Sequence, residues 1–99
     1  MVTFIESIDE FNSIIGGDNL TLIDFTAKWC GPCQIIAPEI EKLSADCLNK
    51  CSFYKIDVDS NEEICCSCEI TCMPSFLLFK NSEVIDRCTG ANVDTIKEM

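Results

Sequence analysis

The sequence predicts an α/β fold, with a mixed central β-sheet flanked by helices on both faces. Short apolar runs alternate with segments whose apolar residues recur at helical spacing, which is typical of strands connected by helices. Near the end of the chain, residues 76–80 and 83–88 are two strand-like runs separated only by Asn81 and Ser82, which predicts an antiparallel hairpin. The expected order is β-α-β-α-β-α-β-β-α, and it implies a mixed sheet.

The first part of the chain predicts a short strand, a helix and a buried strand. The short strand covers about residues 2–5, and the capping box Ser7-Ile8-Asp9-Glu10 opens the helix that follows. The run Leu20-Thr21-Leu22-Ile23-Asp24-Phe25 follows a turn-forming segment and is apolar and partly β-branched. This pattern predicts a strand that is buried on both faces.

A long helix is predicted from Pro32 to about residue 48. Pro38 lies inside it, and we expect a kink there rather than an end, because the apolar pattern continues beyond the proline. The residues that carry this pattern are Ile36, Ile40, Leu43 and Cys47.

The later elements are shorter. Residues 53–58 predict a strand, and Ser60-Asn61-Glu62-Glu63 is a second capping box that should open a helix through Cys68. The hairpin turn is expected to need an unfavourable positive φ, because Ser82 stands where glycine would be preferred. Asn92 is expected to cap a final short helix.

The segment Trp29-Cys30-Gly31-Pro32-Cys33 connects the predicted buried strand to the long helix. Two thiols at this spacing can close a small disulfide that another thiolate reopens, so the segment indicates a redox switch. Cys30 falls at the helix N-terminus, where unpaired N–H groups and the helix dipole favour a thiolate. The alternatives are a structural disulfide or half of a zinc site, which other cysteines would have to complete because the chain has no histidine.

Taken in order and spacing, four segments resemble the thioredoxin family over nearly the whole chain: Asp24-Phe25, Trp29-Cys30-Gly31-Pro32-Cys33, Cys72-Met73-Pro74-Ser75-Phe76 and Gly90-Ala91. The resemblance implies a thioredoxin fold and a small dithiol-disulfide oxidoreductase that reduces protein disulfides. It also implies electron transfer from NADPH through a flavoprotein thioredoxin reductase, substrates such as peroxiredoxins or ribonucleotide reductase, and no cofactor or metal in the chain itself.

The same resemblance assigns the catalytic roles. Cys30 would attack the substrate disulfide, and Cys33 would resolve the mixed disulfide with Asp24 as its proton relay. Independently of the family, a carboxylate inside an apolar strand loses hydration, which raises its pKa towards the range useful for proton transfer. The alternative for Asp24 is a structural pairing, for which Lys55 on the neighbouring predicted strand is available.

A substrate-binding surface is also implied by the resemblance. Pro74 is expected to follow a cis peptide bond and to lie against the cysteine pair, and the Met73 backbone would pair with an extended substrate segment. Alternatively, Pro74 is only a strand-entry proline and Trp29 only a core residue. The remaining residues expected on this surface are Trp29, Gly31, Pro32, Gly90 and Ala91.

Composition predicts one domain over residues 1–99, and the start of the chain has no signal-peptide pattern. The net charge of −10 argues against nucleic acid and anionic lipid as partners, and it favours a basic protein partner. No apolar run is long enough to span a membrane. Nine cysteines in a chain unlike a disulfide scaffold indicate mostly reduced thiols and a cytoplasmic location.

Seven cysteines lie outside the motif, and Cys65, Cys68 and Cys88 are expected to be small buried hydrophobic residues. A metal cluster of Cys65, Cys68 and Cys72 is an alternative, although it lacks an obvious fourth ligand. Cys72 is the candidate regulatory thiol, because the resemblance places it exposed beside Pro74; the monomer would then form an oxidative dimer through it. The other cysteines outside the motif are Cys47, Cys51 and Cys66.

Two further functions stay open at the level of sequence. The chain could be a redox-gated binding module whose reduced form docks on a partner enzyme. It could also be a cysteine-rich metal carrier, which would purify with stoichiometric zinc.

Overall fold

The computed structural model describes residues 2–47, 51–71 and 73–90, which form a five-stranded sheet with helices on both faces. In chain order the elements are β1 Thr3–Phe4, α1 Ile8–Ile15, β2 Leu20–Thr26, α2 Gly31–Asp46, β3 Cys51–Asp57, α3 Glu62–Ser67, β4 Ser75–Lys80 and β5 Glu83–Thr89. The predicted fold class is confirmed.

The sheet has the strand order β1-β3-β2-β4-β5, so β2 lies at its centre. It pairs in parallel with β3 and antiparallel with β4, and β4 pairs antiparallel with β5 as the predicted hairpin. The sheet is therefore mixed, and the strand that leads into the cysteine pair has a hydrogen-bonded neighbour on each side.

Alternate residues of the central strand enter two separate cores. Leu22 packs with Ile36, Ile40 and Leu43, so α2 covers one face of the sheet. Ile23 points to the opposite face, where the core includes Phe11 and Ile15 of α1 and Ile64 of α3. The apolar runs of β2 and β4 are continuous because helices bury both sides of these strands.

The helix starts follow the predicted signals in two cases and differ in the third. Ser7 caps α1 and accepts a hydrogen bond from the N–H of Glu10 at 3.1 Å. Pro32 lies in the first turn of α2, and this helix continues through Pro38. The predicted capping box at Ser60 is wrong. Asn61 is the N-cap of α3 and makes no side-chain capping bond, and its amide donates to the carbonyl of Asp57 at 3.0 Å.

The β4–β5 turn has the strained backbone that the sequence predicts. Asn81 and Ser82 have φ angles of 53° and 67°, in the left-handed region where glycine is favoured. The final helix predicted at Asn92 lies outside the described residues, as do Cys72 and Ala91.

Candidate active site

Cys30 and Cys33 are joined by a disulfide where the chain passes from β2 into α2. Cys30 is the N-cap of α2, and its N–H donates to the carbonyl of Ala27 at 3.2 Å. The side-chain amide of Gln34 donates to the same carbonyl at 2.8 Å. Pro32 occupies the first turn, where the N–H that proline lacks has no helical partner. These hydrogen bonds connect the turn after β2 to the first turn of α2, which contains the disulfide.

The surroundings of the two sulfur atoms differ. The N–H of Cys33 points at Cys30 Sγ, 3.2 Å away, and the N-terminus of α2 adds its positive dipole end. Both interactions favour negative charge on Cys30 once the disulfide is reduced. Cys33 lies on the same helix face as Ile36 and Ile40 and is 2% exposed, against 5% for Cys30. Both residues are buried, and the two sulfur atoms differ in that the Cys33 N–H faces Cys30 Sγ.

Asp24 is a carboxylate in the buried centre of β2, with a side chain 5% exposed. Loss of hydration raises its pKa from 3.8 to about 7, although the charge of Lys55 lowers it in part. Within the described part of the chain, Asp24 Oδ1 has no hydrogen-bond partner. A buried carboxyl with a pKa near neutrality can exchange protons at physiological pH.

Lys55, the alternative structural partner of Asp24, is its neighbour on β3 in the sheet register. Its ammonium group lies 4.6 Å from the centre of the Phe4 ring, a cation–π arrangement. The charge of Lys55 therefore acts on Asp24 without a hydrogen bond to Oδ1. Asp24 also lies on the α2 face of the sheet, because it follows Leu22 by two residues.

The Met73-Pro74 segment lies beside the disulfide, and its peptide bond is cis as predicted. Met73 packs against the small cluster of Ala27, Cys30 and Cys33. The carbonyl of Pro74 accepts a hydrogen bond from the N–H of Gly90 at 2.9 Å, which connects this segment to the end of β5. Gly90 has a φ of 91°, a conformation that side chains rarely adopt. Five residues predicted at the site are therefore brought together.

An exposed apolar rim borders this cluster. Trp29 is 67% exposed, so the alternative of a core tryptophan is wrong, and its indole N–H donates to Asp59 Oδ2 at 2.9 Å. Gly31 and Pro32 are exposed next to it. Ile35, which is 77% exposed, was not predicted as a site residue. The helical pattern contained the signal, because Ile35 lies outside the apolar stripe formed by Ile36, Ile40 and Leu43. We call Trp29, Pro32 and Ile35 the apolar rim.

The other described cysteines are free thiols. Cys68 and Cys88 are buried, as predicted, whereas Cys65 is half-buried. Burial raises the pKa of Cys68 to about 11 and also raises the pKa of Cys65 and of Cys88, so these groups stay protonated at neutral pH. Over residues 2–47, 51–71 and 73–90, no group of three or more His, Cys, Asp or Glu side chains could hold a metal ion. Across the same residues, no helix has the length and apolarity to cross a membrane.

Comparison with known proteins gives consistent matches over almost the full chain. The sequence model of the thioredoxin family matches residues 2–99. Thioredoxin of Ictalurus punctatus is 43% identical over 101 residues, covering 99% of this chain and 94% of that protein. The solved structure of Malassezia sympodialis thioredoxin has a TM-score of 0.95 at 42% identity, covering 98% of this chain and 88% of that one.

Another solved structure concerns the thiol resolving mechanism in yeast mitochondrial 1-Cys peroxiredoxin via glutathione/thioredoxin systems. Its matching chain has a TM-score of 0.92 and 34% identity, covering 98% of this chain and 91% of that one.

Proposed function

The chain belongs to the thioredoxin family of disulfide oxidoreductases, and on that premise we propose that it reduces protein disulfides and is itself reduced by a flavoprotein thioredoxin reductase with electrons from NADPH. The observation that carries the proposal is the Cys30–Cys33 disulfide at the N-terminus of α2. There the Cys30 sulfur is supported as a thiolate, and the Cys33 sulfur is its disulfide partner. The chain needs no cofactor of its own for this exchange.

In the proposed cycle, the Cys30 thiolate attacks one sulfur of the substrate disulfide and expels the other as a thiolate. Cys30 is then joined to the substrate in a mixed disulfide. The Cys33 thiolate attacks Cys30 Sγ, the substrate leaves reduced, and the Cys30–Cys33 disulfide forms again. Two electrons pass to the substrate, and NADPH returns them through the reductase.

Asp24 is proposed to accept the proton of Cys33 before this second attack. Asp24 lies on β2 and Cys33 on α2, and α2 covers the face of the sheet to which Asp24 belongs. The carboxyl group has a pKa of about 7 and an unpaired Oδ1 among the described residues. These properties support a proton relay rather than a structural ion pair.

Protein disulfides are proposed as substrates because the surface around Cys30 is apolar and exposed. The apolar rim offers contact area, and the Met73 backbone would pair with an extended substrate segment. Gly90 completes this surface, and Ala91, which lies outside the described residues, is proposed to extend it. The peroxiredoxin system of the yeast structure makes peroxiredoxins one substrate class to test, with ribonucleotide reductase as another. The free thiols support the cytosol as the compartment.

A coupled assay tests this function directly. The protein is mixed with insulin, NADPH and a purified thioredoxin reductase, and NADPH consumption is followed together with insulin precipitation. We expect many turnovers per molecule for the wild type and for Cys66→Ser, which changes an exposed thiol of α3 and keeps the Cys30–Cys33 pair. Cys30→Ser should be inactive. If the dithiothreitol-reduced protein reduces insulin but NADPH is not consumed, the reductase step is wrong and the disulfide reductase assignment stands.

A further inference from the structure

Cys47 and Cys51 are a second pair of neighbouring cysteines, at the opposite end of α2 from the active-site disulfide. We propose that these two residues form a separate dithiol site, which a hydroperoxide oxidises reversibly to an intrachain Cys47–Cys51 disulfide. Both thiols are free in the structure while Cys30 and Cys33 are joined.

The backbone holds the pair at a suitable separation. Cys47 is the C-cap of α2, where its N–H donates to the carbonyl of Leu43 at 3.0 Å. Cys51 is the first residue of β3, and its N–H donates to the carbonyl of Cys47 at 3.0 Å. A hydrogen bond from residue i+4 to residue i leaves the two Cα atoms about 6 Å apart, as in a helical turn. Disulfides commonly span this Cα separation.

The two side chains also pack on the same side of the sheet. Both are half-buried and pack against the core that α2 covers, and Cys51 is the register partner of Leu20 in the same packing group. A charge on Cys47 would raise the pKa of Cys51 further, which indicates that the sulfur atoms lie near each other. Cys51 Sγ also donates a weak hydrogen bond to the carbonyl of Ser52 at 3.6 Å.

Simple apolar packing accounts less well for this pair than for the other core thiols. Cys68 and Cys88 are buried, whereas Cys47 and Cys51 keep part of their surface in solvent, where a small peroxide reaches them. Packing against this core requires only a small side chain at positions 47 and 51, and it does not require that both side chains be thiols. Two adjacent, partly exposed thiols make a chemically competent pair.

The reaction balances with the hydroperoxide as oxidant. One thiolate of the pair attacks the peroxide oxygen, which breaks the O–O bond, oxidises the sulfur to a sulfenic acid and releases water or an alcohol. The second thiol then attacks that sulfur, and the hydroxyl group leaves with a proton as water. Two thiols have lost two electrons, and the peroxide has gained them. Burial raises the pKa of Cys51, so we expect the reaction to become faster at alkaline pH.

Peptide mapping tests the site, because Lys50 separates the two cysteines. Trypsin cleaves after Lys42, Lys50 and Lys55, so residues 43–50 carry only Cys47 and residues 51–55 carry only Cys51. The protein carries Cys30→Ser and Cys33→Ser, which removes the active-site pair. It is treated with hydrogen peroxide, quenched in acid, alkylated and digested. Only the monomer band of a non-reducing gel is analysed, so links between chains do not contribute.

We expect most molecules to yield the two peptides as one disulfide-linked species after peroxide, and almost none before it. Dithiothreitol added before alkylation should return both as separate alkylated peptides. Adding Cys51→Ser to the same background should abolish the linked species, whereas adding Cys66→Ser should leave it unchanged. The proposal is wrong if both peptides stay alkylated, if either sulfur goes on to a sulfinic acid, or if Cys47 links to another cysteine. The outcome does not depend on the proposed function.

Discussion

Asp24 shows at the scale of one residue how function opposes stability. Its carboxyl group has a pKa of about 7 in the folded protein, against 3.8 in its ordinary state. Between these two pH values the folded protein binds more protons at this group than the unfolded chain does. The free energy of unfolding therefore falls as pH rises from about 4 to about 7, and the loss is complete above that range. A carboxylate that is ready to take a proton is thus a destabilising residue at neutral pH.

We expect Asp24→Asn to raise the free energy of unfolding by roughly 2 to 4 kcal/mol at pH 8, because no charge has to be buried. The gain should shrink as pH falls and disappear below about pH 3, where Asp24 is protonated in both the folded and the unfolded state. Urea denaturation across this pH range measures it, with the exposed Asp18→Asn as the control. A gain that is the same at every pH, or a loss at pH 8, would mean that the carboxylate of Asp24 is structurally required.

The same variant should slow the release of reduced substrate from the mixed disulfide near pH 7. In the wild type this rate should rise with the ionisation of Asp24, whereas in Asp24→Asn it should rise only at alkaline pH, where Cys33 ionises unaided. Single-turnover kinetics from pH 6 to pH 10 compare the two profiles. Superimposable profiles would contradict the proton relay.

The assigned roles of the two cysteines predict different trapping. Cys33→Ser should accumulate mixed disulfides through Cys30, because the resolving sulfur is missing, and Cys30→Ser should accumulate none. Mass spectrometry of complexes formed with an oxidised substrate gives the comparison. Equal trapping by both variants would contradict the roles, and a complex that survives both substitutions together would favour the redox-gated binding module.

At the level of single residues, the sequence predicts the reactive groups of the site better than it predicts which apolar side chains are exposed around them. Cys30, Cys33 and Pro74 lie where their motifs indicate, since turns and helix starts depend on local sequence. The sequence around Trp29 is compatible with an exposed or a buried side chain, and its exposure depends on how the fold packs. Ile35 was missed because exposed apolar residues carry no motif, although their helical phase reveals them.

Among the elements, the β4–β5 hairpin allows a direct test of backbone strain. Ser82 has a φ of 67°, and its N–H donates to the carbonyl of Ile15 at 2.8 Å, a bond that glycine can also make. The left-handed conformation costs a residue with a Cβ about 1 to 2 kcal/mol, and glycine also gains some entropy in the unfolded chain. We therefore expect Ser82→Gly to stabilise the protein by about 1 kcal/mol.

The midpoint of urea denaturation measures this effect, and Ser82→Ala is the matched control because alanine keeps the Cβ. The slope of the transition should stay the same in all three proteins. A glycine variant that is no more stable than the alanine variant would show that the turn carries no strain from Ser82.

Element boundaries could be predicted where one residue decides them and not where long-range contacts do. Pro32 indicates the start of α2 because only a first turn accommodates it. At α3 the N-cap position is Asn61 rather than Ser60, and the Asn61 side chain binds the carbonyl of Asp57 in the loop after β3 instead of capping the helix. The end of α3 carries no glycine signal, yet Glu69 adopts a φ of 55° there, and Ile70 donates to the carbonyl of Cys65.

At the scale of the whole molecule, the family resemblance places Cys72 at the border of the surface that receives substrates, although this residue lies outside the described ones. We expect a mild oxidant to form a reducible dimer through Cys72, with lower activity because the apolar rim becomes covered. Non-reducing electrophoresis of the wild type, Cys72→Ser and Cys66→Ser makes the comparison. If Cys72→Ser dimerises as readily as the wild type while Cys66→Ser does not, the cross-link belongs to Cys66.

The central position of β2 has a consequence for motion. This strand is hydrogen-bonded to β3 on one side and β4 on the other, and residues 21–25 are buried. Its amide hydrogens reach water only when most of the sheet opens, so they should be among the last in the chain to exchange with deuterium. The scaffold beneath the sulfur atoms therefore stays fixed while they change partners, and the redox cycle is confined to bonds and protons at one end of a rigid strand.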